Sequence, residues 1–215
     1  YDFESDRQCS RRRAIWGAVV SKADRPLVFN GCFAMLLLMV LGACLTKNWD
    51  NIVATVCLLN VAWFYSVPPI RLKERPPLDS LANGLGFFLL PFVMGYSLGA
   101  DPTAMPLKYY LLALSVCGIQ ALATAADFDA DKAAGHRTLA VAFGRRAAAA
   151  FAFLTFAIAL VFGDYQGVAV RVYLAVGAAA TLAAMLVPRD RTIAAACVTI
   201  FIGFLVAAVC HVLGW

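Results

Sequence analysis

The sequence predicts an all-α protein, a polytopic transmembrane helical bundle with seven spans, and three observations carry that prediction. Of the 215 residues, 62% are hydrophobic and only 14% are charged, whereas a soluble domain is charged at about a quarter of its positions. Seven stretches are apolar over nearly the length that a hydrocarbon core of about 30 Å demands, roughly 20 residues of helix. Finally, Lys and Arg fall almost entirely on one side of the membrane that these stretches define.

The spans are 27–45, 52–65, 81–99, 107–125, 147–163, 168–187 and 192–213. The second is short, but it runs on through Ser66 and Val67 until Pro68 and Pro69 stop it, because proline lacks an N–H and crowds the preceding turn. If the N-terminal segment lies inside, the inside segments hold Arg7, Arg11, Arg12, Arg13, Lys22, Arg25, Arg71, Lys73, Arg75, Lys132, Arg137, Arg145, Arg146, Arg189 and Arg191. Only Lys47, Lys108 and Arg171 fall outside. This 15 to 3 split supports all seven spans together, since adding or dropping one scrambles it.

The net charge of +5 therefore reads as membrane orientation, and no nucleic-acid partner is expected. Seven cysteines are scattered without C-x-x-C spacing, as small apolar fillers are. No soluble stretch is long enough to bury a core of its own, so residues 1–215 form a single transmembrane domain. The residues capable of chemistry gather in three inside segments, 1–26, 66–79 and 127–146.

Two of these segments repeat a D-x-x-x-D pattern, Asp2 to Asp6 and Asp127 to Asp131. Residues four apart share a helix face, so each pair directs two carboxylates at one point. Mg²⁺ takes oxygen ligands and is commonly held by one or two carboxylates together with substrate phosphates. A single acidic pair is more simply a solvated helix end, but two pairs on one membrane face favour metal binding. Between them runs Tyr65-Ser-Val-Pro-Pro-Ile-Arg71-Leu-Lys73-Glu-Arg75-Pro-Pro-Leu-Asp79. Its proline pairs stiffen the loop and end the flanking helices. Arg71, Lys73 and Arg75 offer cations to phosphate oxygens, and Arg7, beside Asp6, offers another. The simpler reading of these cations is headgroup anchoring. Among intramembrane amides, Asn30, Asn60 and Gln120 are explained by helix-to-helix hydrogen bonding. Asn83 stands out because it follows Asp79 by one turn on the same side.

The string YSVPPIRLKERP with LDSLANG resembles the signature loop of the UbiA superfamily of intramembrane prenyltransferases, and DFDADKAAGHRT resembles its second aspartate-rich motif. YDFESDR is similar to the second half of the first motif, N-D-x-x-D-x-x-x-D. The resemblance implies a nine-helix fold of which the first two helices lie upstream of Tyr1. It also implies that Asp2, Asp6, Asp127 and Asp131 bind Mg²⁺-diphosphate, that Arg71 and Lys73 neutralise the leaving group, and that Tyr65 lies beside the reacting carbon. Asp129 and Glu4, two positions from their neighbours, point away from the pairs. The implied activity is transfer of an allylic prenyl group from a prenyl diphosphate donor to a lipophilic acceptor in the bilayer. The active site is expected on the cytoplasmic face of a bacterial-type plasma membrane. The run through YDFESDR and LDSLANG looks like the lycopene elongase branch, which extends carotenoids, more than like the branch that prenylates aromatic quinone precursors.

Two other classes compete. A transporter concentrates functional charge near the bilayer midplane, where these spans offer none; His211, near the outer end of the last span, reads as packed or interfacial. A phospholipid-headgroup transferase also uses Mg²⁺ and paired aspartates, but in one compact run with Asp-Gly and Ala-Arg, which is absent here.

Overall fold

A computed structural model of the chain describes Ser21 and residues 23–213. Asp2, Asp6 and Arg7 of the sequence reading lie outside the described residues. Among those described, every regular element is helical, and seven helices are long. They are α1 (Arg25–Leu45), α2 (Trp49–Ser66), α3 (Leu78–Tyr96), α4 (Leu107–Ala126), α7 (Arg145–Phe162), α8 (Val168–Leu186) and α9 (Asp190–Val212). Two short helices, α5 (Phe128–Ala133) and α6 (Leu139–Phe143), fill the segment between α4 and α7.

Six of the long helices have both the length and the composition to cross a membrane. The exception is α2. It has 18 residues, and Asp50, Asn51 and Asn60 dilute its apolar content. It nevertheless runs antiparallel beside α3, joined to it near both ends. Asn48 and Asn51 donate to the carbonyls of Ser97 and Met94 at 2.7 Å each, and Tyr65 meets Asn83 at the other end. As the sequence predicts, the helix stops at Ser66 before the proline pair.

Close helix approach depends on small residues. Ala121 and Ala125 of α4 and Ala148, Ala149 and Ala152 of α7 share one core cluster with no solvent exposure where the two helices pack, the packing mode of helices that cannot use the hydrophobic effect against lipid. From there the bundle continues α7 on α8 and α8 on α9, and α9 returns to α4. Large apolar residues such as Leu27, Phe29, Leu154 and Val161 face outward, which in a bilayer is where they belong.

One helix departs from regularity. Over Gly84–Leu89 the α3 backbone widens, and the Leu90 N–H reaches back five residues to the Leu85 carbonyl. Gly84 there lies against the Ala113 carbonyl and Cys117 of α4. The helix also begins earlier than the predicted 81–99 span, at Leu78, and so draws Asp79 into the bundle, where it is 1% exposed. Hydropathy alone places Asp79 in the preceding loop, because it penalises a carboxylate whatever its hydrogen bonds.

Two of the three segments that hold the residues capable of chemistry lie together in the fold. Residues 66–79, 127–146 and 187–190 meet at one end of the bundle, through Glu74–His136, Asp79–Leu139 and Arg145–Asp190. At the other end, Tyr165 of the 163–167 connection donates to the Lys108 carbonyl.

Candidate active site

The site is built where α2, α3 and α4 converge under the acidic end of α4. Tyr65 occupies the last turn of α2, and its hydroxyl accepts from the Asn83 amide at 2.8 Å. Gln120 of α4 approaches the same oxygen at 3.5 Å, at the outer limit of hydrogen bonding. The second Asn83 amide proton goes to the Asp79 carbonyl at 2.9 Å. The turn that puts Asn83 above Asp79 was legible in the sequence; the Tyr65 contact, across 18 positions, was not. Gln120 bonds between helices as expected, whereas Asn60 bonds within its own helix, to Val56, and needs no partner helix.

Asn83 and Gln120 also line a cavity of about 590 Å³ between α3, α4 and α9. Its remaining wall is apolar, with Phe87, Phe88, Phe201, Phe204, Ile200 and Cys197 among the lining residues. Ala123, which lines the cavity, stands one helical turn before Asp127 at the end of α4, so the acidic motif lies near this cavity. Phe88 and Phe92 extend an aromatic stack along α3, centroids 5.6 Å apart.

Asp127 ends α4 and opens α5, and the Asp131 N–H bonds the Asp127 carbonyl at 2.9 Å. This backbone bond spans the single turn between the two residues, the i, i+4 spacing at which side chains can share a helix face. Asp129 leaves the pair. It is largely exposed and bonds Arg145 at 2.7 Å, while the other guanidinium nitrogen reaches Asp190 at 3.0 Å. Arg145 thus fastens the acidic turn to the start of α9, and its guanidinium lies 4.9 Å from the Phe128 ring centre.

α5 ends in a Schellman turn. Gly135, at φ +75°, takes the left-handed position, with Gly135 N–H bonded to Lys132 and His136 N–H to Asp131. Beyond it, His136 Nδ1 meets Glu74 at 2.9 Å, and Thr138 donates to Asp131 at 3.1 Å.

The basic loop is tied to this segment. Arg71 has left-handed backbone, φ 46°, and pairs with Glu74 at 3.1 Å. One carboxylate therefore links the loop cation to the segment after the acidic motif, a connection that no sequence spacing announced. Arg75 closes the loop on the Pro69 carbonyl at 3.0 Å. Lys73 sits in the single turn Leu72–Glu74, half-buried between these contacts.

Two hard carboxylate oxygens on one face suit Mg²⁺, which completes its shell with water and phosphate. Among the described residues no group of three or more His, Cys, Asp or Glu gathers closely enough to hold an ion. Asp127 and Asp131 are the described carboxylates that could hold such an ion together with phosphate oxygens.

A family model of UbiA prenyltransferases matches residues 1–205. The chain is 32% identical to a lycopene elongase/hydratase of Haloarcula japonica over 55% of this chain and 37% of that protein. It is 38% identical to the lycopene elongase/hydratase of Halobacterium salinarum over 42% and 34%, respectively. With the protein of the same name from Corynebacterium glutamicum, 27% identity extends over 75% of this chain and 56% of the relative. The matches thus span between about a third and just over half of the relatives' lengths. No solved structure matches the chain.

Proposed function

The chain belongs to the UbiA prenyltransferase family, and from that premise we propose that its protein transfers an allylic prenyl group from a Mg²⁺-bound diphosphate to a lipophilic acceptor of the lycopene type. The observation that carries this reading is the cavity of about 590 Å³, apolar and phenylalanine-lined, with Asn83 and Gln120, the partners of Tyr65, in its wall and the acidic motif one turn beyond it on α4. An isoprenoid chain is apolar along its length and charged only at its diphosphate, and this arrangement mirrors that division.

In the proposed reaction the allylic C–O bond breaks and its electron pair departs with diphosphate. The π electrons of the acceptor then form the new C–C bond, and the resulting cation is quenched by losing a proton or capturing water. When bound, Mg²⁺ supplies positive charge against the departing diphosphate. Asp127 and Asp131 hold that assembly at the membrane face, with Asp2 and Asp6 proposed as the opposing pair. Arg71 and Lys73, on a proline-stiffened loop, meet the charge that grows on phosphate oxygens, a preorganised electrostatic contribution. The Tyr65 ring, fixed by Asn83, lies beside the allylic carbon and stabilises its positive charge through the π face. The apolar cavity wall excludes water until the new bond has formed.

The carotenoid acceptor is suggested by the relatives named lycopene elongase/hydratase. The cytoplasmic placement rests on the Lys and Arg distribution. The test is prenyl transfer by the full-length protein in membranes supplied with dimethylallyl diphosphate, Mg²⁺ and either lycopene or an aromatic acid, beside an Asp127→Ala control. Extension of lycopene, lost in the control, is the expected result. Prenylation of the aromatic acid would move the protein to the quinone branch, and activity in the Asp127→Ala control would refute the metal site.

A further inference from the structure

The helix α6 is not capped by its own cap residue. Thr138 precedes it with extended backbone, φ −81° and ψ 171°, where a threonine hydroxyl ordinarily accepts an N–H of the first turn. It makes no such bond and donates to Asp131 Oδ2 instead. Two other helices take over the capping. Asp79 Oδ2 of α3 accepts the Leu139 N–H at 2.9 Å, and Thr124 Oγ1 of α4 accepts the Ala140 N–H at 3.3 Å. The other Asp79 oxygen accepts the Ser80 N–H at 2.8 Å. A carboxylate buried this deeply is costly unless hydrogen-bonded, and both oxygens of Asp79 are.

We propose that Asp79 is a positioning residue for the acidic motif: by holding the Leu139 N–H at the start of α6, it fixes the neighbouring Thr138 so that its hydroxyl, by donating to Asp131, orients that carboxylate toward the metal-bound diphosphate. The proposal rests on the reading of Asp131 as a ligand of that assembly. It adds a three-step relay, Asp79 to Leu139, Leu139 to its neighbour Thr138, and Thr138 to Asp131, that connects a buried membrane helix to the metal-binding face. Asp79 touches neither substrate nor metal in this scheme.

The test uses the full-length protein in membranes with Thr138→Val, Thr138→Ser and Asp79→Asn. Valine keeps the shape of threonine and removes the hydroxyl. Its expected effect is a rise of about tenfold or more in the Mg²⁺ concentration for half-maximal transfer, the scale of a lost hydrogen bond to a charged group, at an unchanged melting temperature. Serine restores the wild-type value. Asp79→Asn turns an N–H₂ toward one of two N–H donors, so hydrogen exchange at the Leu139 amide accelerates and the Mg²⁺ requirement rises likewise. Because both residues act along one path, the double variant adds little to either single one. Wild-type Mg²⁺ dependence in Thr138→Val, or additive effects in the double variant, would overturn the relay. Mn²⁺ binding in the presence of inorganic diphosphate, followed by electron paramagnetic resonance, separates this proposal from the reaction itself. If wild type transfers no prenyl group yet Thr138→Val weakens Mn²⁺ binding, the relay stands and the reaction assignment falls. Equal Mn²⁺ binding by both, or none by wild type, overturns the relay.

Discussion

Asn83 on α3 holds the phenol oxygen of Tyr65 on α2 at 2.8 Å and spends its other amide proton on the Asp79 carbonyl at 2.9 Å. Both protons of a buried amide are therefore committed. Tyr65→Phe strands one of them, which costs about 1–3 kcal/mol and lowers the melting temperature. If the ring rather than the hydroxyl faces the allylic cation, Tyr65→Phe retains much of the transfer rate, while Tyr65→Leu falls about tenfold further, the scale of a desolvated cation–π contact. Steady-state kcat for the two variants, measured beside their melting curves, checks this. Equal losses in both would assign the role to the hydroxyl.

Glu74 sits between Arg71, at 3.1 Å, and His136, at 2.9 Å. Its carboxylate joins the basic loop to the segment beyond the acidic motif. These groups are partly exposed, so the bridge contributes only about 1 kcal/mol. Glu74→Ala is expected to raise the KM for the diphosphate donor about fivefold, consistent with that energy, and to change kcat less, because the loop still closes through Arg75 and Pro69. A kcat loss matching that of Asp127→Ala would mean that Glu74 touches the reacting assembly.

Much of this arrangement was legible in the sequence wherever the signal was local. The long helices follow from apolar length, the end of α2 from Pro68, and the single turn between Asp127 and Asp131 from spacing by four. Asp79 escaped because its partner is the Leu139 N–H, 60 positions downstream. The available clue was an acid in the first turn of a helix beginning just after Pro76 and Pro77, a place that favours carboxylates. Sequence reading took the span to begin at Leu81 because hydropathy penalises a carboxylate whatever its hydrogen bonds. The widened turn at Gly84 was hidden for a related reason: it answers to the backbone of α4, and no pattern within 84–89 specifies a neighbour.

Gly84 supplies the next prediction. A Cβ at this position would stand 2.8 Å from the Ala113 carbonyl and also against the Cys117 sulfur. The carbonyl belongs to the α4 backbone and cannot turn aside, so Gly84→Ala should destabilise the protein by about 1–3 kcal/mol, the range for overpacking a filled core. Adding Cys117→Ala relieves the sulfur and leaves the carbonyl, so it should recover only part of the loss. Thermal unfolding in detergent distinguishes partial from complete recovery. Complete recovery would place the whole conflict at the sulfur.

Gly135 differs, because a Cβ there meets nothing within 4 Å. The cost of Gly135→Ala is then purely that of φ +75°, about 1–2 kcal/mol for an L-residue in left-handed backbone. Asparagine tolerates this region better, so Gly135→Asn should be the milder change. The Schellman turn hands the chain from Asp131 toward Thr138, so hydrogen exchange should accelerate over 134–138 in the alanine variant. Unchanged exchange with a full loss of stability would locate the strain elsewhere.

Asp129 provides the sharpest internal control, since it lies between Asp127 and Asp131 and is chemically identical to both. Its side chain is 77% exposed and bound to Arg145, a surface ion pair worth about 0–1 kcal/mol. Position i+2 turns it off the face that its neighbours share. Asp129→Ala should therefore keep prenyl transfer within about fivefold of wild type, the most such an energy implies, while Asp127→Ala and Asp131→Ala abolish it. The comparison isolates geometry, because all three variants remove one negative charge from the same short helix. Were bulk negative charge at the membrane face sufficient, the three would lose activity alike. A selective loss at Asp127 and Asp131 requires instead that their carboxylates act from one side of the turn, toward one ligand.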